Sequence, residues 1–277
     1  MIKYEIDTDS YNRSFLVSIR DFTHGFNYYK IWFFLSCQDI KQRYRRSVIG
    51  PFWITISNAI IIAMLSFLYG ALFGLPLDVY APYLASGMLV WSFISVTINE
   101  STALFSESRN IIQQVNYPLS FYTYRLISRN ILILFHNLLI MPFIYFYFET
   151  TINVFNILLF FAGLLVLSIN LFFISFCSAI ICTRFRDIQP LITNIVQAVF
   201  FVSPIMWLPS ILEARGVASW LLVLNPIYYL LDIVRSPMLG QSPSYSSVIV
   251  SFSLMIGLFL VTFMLLAKTK SKVVYWL

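Results

Sequence analysis

Residues 51 to 77 read PFWITISNAIIIAMLSFLYGALFGLPL, without a single Asp, Glu, Lys or Arg. Further runs of the same kind cover 79–99, 130–148, 150–183, 188–212 and 248–267. The first of these continues to about Ser106, broken only by Glu100. A membrane-spanning helix needs about 20 mostly apolar residues. The chain is 11% charged and 59% hydrophobic, whereas an ordinary soluble domain is about 25% charged. Such a composition cannot cover a soluble surface with polar groups. The fold class is therefore an all-α integral membrane protein. Three cysteines without framework spacing imply no disulfide scaffold. Residues 1 to 22 are charged and polar, unlike a cleavable signal peptide.

The runs predict six transmembrane helices, at about 51–75, 82–105, 120–148, 153–183, 188–208 and 246–267. The fourth run is long, but no polar turn divides it, so one tilted helix is expected. The apolar stretch 216–231 is too short to cross and is broken by Asn225-Pro226. It reads as two short re-entrant helices in the last outer loop, 209–245. Lys and Arg favour the cytoplasmic side of short loops. Six spans with both termini cytoplasmic place fifteen of the eighteen Lys and Arg residues inside. The net charge of +6 then belongs to a membrane surface rather than to nucleic acid. The segments are a cytoplasmic piece 1–25, an interface helix 26–49, the membrane domain 50–267 and a cytoplasmic tail 268–277.

Phe33, Cys37, Ile40, Tyr44 and Val48 recur at spacings of three and four, with Lys41, Arg43, Arg45 and Arg46 between them. This pattern predicts an amphipathic helix lying along anionic headgroups. A plain basic flank of the first span fits the same residues. Gly50 suits the end of that helix and Pro51 the start of the next.

The chain has no G-x-x-x-x-G-K-[ST], no H-E-x-x-H and no C-x-x-C, and so no phosphate-cradling loop or ready metal set. Glu100 and Arg129 fall near the ends of neighbouring spans, and a pair between them is expected. His136 reads as a packing residue. With so few ionisable groups in the spans, the energy for any transport would come from another polypeptide.

Several stretches in order carry a resemblance: QRYRRSVIGPFW, YLASGMLVWSF, SESRNIIQQVNYPLS, RFRDIQP, SPIMWLP and NPIYYLLDIVRSPMLG. From about residue 30 onward the chain resembles the membrane (permease) subunit of ABC exporters for bacterial surface polysaccharides: O-antigen, capsule and teichoic acid. The resemblance implies a homodimer in the inner membrane with two ATP-binding-cassette subunits. ATP and Mg would sit on those partners, and this chain would hold no cofactor, no metal and no catalytic residue. The cargo would be a lipid-linked glycan.

By the same resemblance, residues 107–117 form a coupling helix, with Glu107, Arg109, Asn110, Gln113, Gln114 and Tyr117 facing the ATPase. Ser106 or Ser108 is able to cap its start. Arg184, Arg186 and Asp187 would lie on the same face. The re-entrant pair would be a gate carrying Asn225, Pro226, Tyr228 and Tyr229, with Asn225 capping the second helix. The family's path runs along the first, second and fifth spans. There Trp53, Tyr69, Tyr83, Trp91, Phe93, Phe200, Phe201 and Trp207 offer flat rings to sugar faces. Lys41, Arg43, Arg45 and Arg46 would help attract the lipid phosphate, with membrane lipid headgroups as the competing partner. Two rival readings are an exporter of a small lipid or drug and a membrane-embedded lipid or sugar transferase.

Overall fold

The computed structural model describes residues 8–45, 47, 49, 50, 52–115, 117–209 and 219–277, and leaves the side chains of 8–17, 219–221 and 271 undescribed. The described residues form helices joined by short turns, with no strand among them. The helices are α1 (Thr8–Asn27), α2 (Tyr29–Arg43), α3 (Phe52–Phe73), α4 (Leu77–Glu107), α5 (Arg109–Gln114) and α6 (Leu119–Leu138). Then come α7 (Ile140–Tyr147), α8 (Val154–Arg184), α9 (Ile188–Val202), α10 (Ser219–Leu224), α11 (Pro226–Met238) and α12 (Tyr245–Trp276).

Five helical stretches are long and apolar enough to cross a membrane: α3, α4, α6 with α7, α8 and α12. The expected fifth crossing, 188–208, is a helix of 15 residues that stops at Val202. At 1.5 Å per residue it is about 22 Å long, short of the roughly 30 Å hydrocarbon layer. Pro204 explains the stop, because a proline disfavours helix at the residue before it.

The fourth run is one unbroken helix of 31 residues. The third is divided at Leu139, where Pro142 lacks an N–H and crowds the carbonyl four residues earlier. Gly50 takes φ +62, the left-handed turn expected ahead of the first crossing; Pro51 lies outside the described residues.

α4 is the hub. It packs against α3, α6, α7, α8, α9 and α11. Ala81, Ala85, Ser86 and Gly87 are buried along it, and small residues let helix backbones approach closely in a membrane. Gly163 plays that part on α8, where the Ile233 carbonyl of α11 lies 2.2 Å from the position a Cβ would take.

Both ends of the chain join the bundle. The piece 1–25, expected as a cytoplasmic segment, includes most of α1, which packs on α6 and α12. The piece 268–277, expected as a cytoplasmic tail, continues α12 as helix to Trp276. Nothing after Ala267 breaks a helix, and Val273 and Leu277 are buried against Phe105, Leu119 and Phe121.

Candidate functional site

At one end of the bundle α5 stands out from the surface. None of its side chains is buried. Glu107, Arg109, Asn110, Gln113 and Gln114 are exposed, with Ile111 and Val115 beside them. Tyr117 is half-buried and stacks on Phe121 at 4.5 Å. The segment is short, polar and followed by Pro118, as the sequence suggests. Its cap differs: Ser108 occupies the N-cap position with ψ 5 and makes no side-chain cap. A capping hydroxyl needs an extended backbone to reach back over the first turn. Ser106 donates instead to the Ala103 carbonyl. Arg184, Arg186 and Asp187 are exposed at the α8–α9 link. The Arg184 guanidinium lies over the rings of Phe185 and Trp276, at 5.0 and 5.2 Å.

Beside this end, a charge network joins α2, α4 and α6. The expected Glu100–Arg129 pair forms, with Arg129 Nη2 donating to Glu100 Oε2 at 2.7 Å. Asn130 Nδ2 donates to the same oxygen at 3.0 Å, and Arg43 Nη2 donates to Oε1 at 2.8 Å. That hydrogen bond raises the Arg43 pKa above its ordinary value. Asp39 accepts from Arg125 Nε at 2.8 Å and lies 3.6 Å from Arg129 Nη1.

On α2, Ser36 and Asp39 bond to α6, and the expected apolar stripe divides, with Ile40 buried and Phe33 facing outward. Ser36 and Ile40 are buried and Asp39 nearly so, whereas Phe33 is 49% exposed. The Asp39–Arg125 pair fixes this side of α2 on α6. Of the four expected cations, Arg43 is engaged by Glu100, Lys41 and Arg45 are exposed, and Arg46 lies outside the described residues.

At the opposite end, the chain leaves α9 as an irregular segment, 203–207. Backbone carbonyls cannot stay unpaired within a bilayer, and three of them meet side-chain donors. The Tyr80 hydroxyl donates to Met206. The Tyr83 hydroxyl donates to Pro204 at 2.8 Å and lies 3.0 Å from the Trp207 carbonyl. Arg235 Nη1, on a residue only 4% exposed, donates to Pro204 at 2.6 Å. Its guanidinium lies over the Tyr83 ring at 4.4 Å. Asn225 Nδ2 donates to Ser203 Oγ at 2.8 Å, while its Oδ1 caps α11 at Ile227 N. Pro226 is the first residue of α11, as expected. Tyr228 is half-buried, and Tyr229 is buried with its hydroxyl donating to the Val223 carbonyl.

The aromatic candidates divide. Trp91 and Phe200 meet at 5.6 Å, and Phe200 meets Phe201 at 5.3 Å. Trp207 Nε1 donates to the Phe201 carbonyl. Trp53 and Phe201 are exposed, while Tyr83, Trp91 and Phe93 are buried in the subunit. Tyr69 stacks on Phe73 and packs in the cluster that holds Tyr80 and Tyr83. The sequence reading missed Tyr80, Asp39, Arg125, Asp21 and Lys270. Asp21, Asp39 and Lys270 stand in polar or charged stretches that offer no signal, while Tyr80 and Arg125 are marked only by a polar group among apolar neighbours.

The model of the ABC-2 type transporter family matches residues 31–239. An O-antigen export system permease protein RfbA of Myxococcus xanthus is 20% identical over 197 residues, covering 70% of this chain and 74% of that protein. The RfbA O-antigen export permease of Klebsiella pneumoniae is 23% identical over 198 residues, with the same coverage. A match across most of the chain, on a bundle of apolar helices, establishes that this protein belongs to the ABC-2 type transporter family of membrane proteins.

Proposed function

We propose that the chain is the membrane subunit of an ATP-driven exporter of a lipid-linked surface polysaccharide, of the O-antigen or capsule kind. The observation that carries this is the likeness to two O-antigen export permeases over 70% of the chain. The subunit would act in the bacterial inner membrane as a homodimer with two ATP-binding-cassette subunits, which would hold the ATP and Mg. Those partners would do the hydrolysis, and this chain would do the conducting.

Two further features support the reading. The first is α5, an exposed helix between two spans, suited to a cleft in a partner. The second is a polar stripe on outward faces. Thr193, Asn194 and Gln197 are exposed on α9, and Ser92, Ser95 and Asn99 are half-exposed on α4. Polar side chains at membrane depth normally face a water-filled cavity or a bundle interior. A second copy facing this stripe would enclose such a cavity, with Trp91, Phe200 and Phe201 beside it.

The mechanism follows from α4. It has 31 residues, about 46 Å of helix. One end leads directly into α5, and the other carries Tyr80 and Tyr83, which hold the 203–207 segment. A push on α5 by an ATP-loaded partner would travel along α4 and move those two hydroxyls. The segment they hold would shift with them, and the seam between the two copies would widen.

Deletion of the gene tests the reading. Completed polymer is expected to accumulate inside the cytoplasmic membrane, with loss from the surface by immunolabelling of intact and lysed cells. Polymer that still reaches the surface at the wild-type level would remove the proposal.

A further inference from the structure

A carboxylate fully buried outside the family-matched region calls for a role. The Asp21 side chain has no exposure. It sits on α1, and its Oδ1 accepts from Ser120 N at 3.0 Å and its Oδ2 from Leu119 N at 3.4 Å. These are the first two amides of α6, groups that a helix leaves without internal partners. The Ser120 hydroxyl donates back to the Asp21 carbonyl at 2.8 Å. One turn on, Gly25 lies so close that a Cβ there would meet Ser120 Oγ at 2.1 Å. The charge of Asp21 is met by Lys270 Nζ of α12 at 2.9 Å.

Both partners lie beyond residues 31–239, one before and one after. They converge a few residues past the exit of α5. Tyr117, the last aromatic before α6, is pinned there between Phe121 and Tyr28, whose ring is 5.2 Å away, edge-on.

We propose that the two ends of the chain form a clasp, Asp21 with Lys270, that fixes the exit of α5 and makes Asp21 a positioning residue for coupling. This rests on the reading of α5 as the coupling segment. With the clasp closed, α5 and α6 move as one body, so force applied to α5 reaches α6 as well as α4. With it open, α5 swings about Tyr117–Pro118, only α4 is driven, and part of the hydrolysis in the partner is wasted.

Hydrogen exchange of the full-length protein in lipid nanodiscs tests the clasp. In Asp21→Ala, peptides covering 109–120 should exchange about tenfold faster, the scale of a lost helix cap. Peptides of α4 and α8 should hold their wild-type rates. Lys270→Gln keeps the cap and should accelerate the same peptides by only a few-fold. Asp21→Asn, which keeps an acceptor oxygen but no charge, should fall between. Unchanged exchange at 109–120, or a uniform rise across all helices, would overturn the proposal.

The second arm uses the complex with its ATPase. ATP hydrolysed per polymer exported should rise in Asp21→Ala. Faster exchange at 109–120 with an unchanged ratio would keep the clasp and remove the coupling role of α5.

Discussion

Gly163→Ala is expected to leave little folded protein. A Cβ at this position would lie 2.2 Å from the Ile233 carbonyl oxygen and 2.9 Å from its carbon. Those atoms are backbone of α11, held in turn by Arg235 on the Pro204 carbonyl, by Asp232, which accepts from Ser244 N, and by the Asn225 cap, so they cannot yield as a flexible side chain would. Overpacking a core costs about 1–3 kcal/mol when side chains can adjust, and here two helices must separate instead. We expect a loss of about 3 kcal/mol or more, seen as a lower melting temperature in detergent and a smaller monodisperse yield. Gly257→Ala is the control. Nothing lies within 4 Å of a Cβ there, so that variant should melt with the wild type. Equal melting of the two variants would mean that α8 and α11 do not approach as described.

The second large effect is expected at Glu100. Its carboxylate is the meeting point of Arg43, Arg129 and Asn130. Glu100→Gln removes the closer anion and leaves Arg129, with 19% of its side chain exposed, only Asp39 at 3.6 Å, which Arg125 already engages. A charge left without its partner is destabilising in proportion to its burial. The site is partly open, so the expected loss is about 2 kcal/mol. Arg129→Gln alone should cost a similar amount. The double variant should cost less than the sum by about 1–2 kcal/mol, since the two groups share one interaction. Arg43→Gln should cost no more than about 1 kcal/mol, because its side chain is 42% exposed. Additive losses in denaturation of the detergent-solubilised protein would show that the pair is not an energetic unit.

Features set by neighbouring residues could be read in the sequence. Gly50 turns the chain because only a residue without a Cβ takes that φ freely. Asn225-Pro226 starts a helix because the amide caps it and the proline suits its first position. Glu100 and Arg129 could be matched because few charges occur in the spans and neighbouring helices pair.

Features that need two distant residues could not be read. Asp39 is 86 positions from Arg125 and Asp21 is 99 from Ser120. No periodicity links them, and the apolar spacing of α2 said nothing of which side would meet α6. The short α9 illustrates another limit. Hydropathy measures composition along 188–212 and is blind to continuity, so one proline divides what a charge-free run joins. The aromatic residues were readable as a class, but their side of the helix was not. Trp91 and Phe93 face inward and Trp53 outward, on helices that are apolar nearly all round.

The meeting of Asp21 with Lys270 also has a consequence for biogenesis. Asp21 emerges from the ribosome early, and Lys270 is among the last residues to be made. Until α12 docks, the carboxylate lacks both its cation and the helix that closes over it, and α1 is held by the amides of α6 and by the Phe172 and Phe176 rings of α8. A nascent chain cut short before residue 270 therefore carries an open seam at its membrane surface, where a quality-control protease could distinguish it from a finished one.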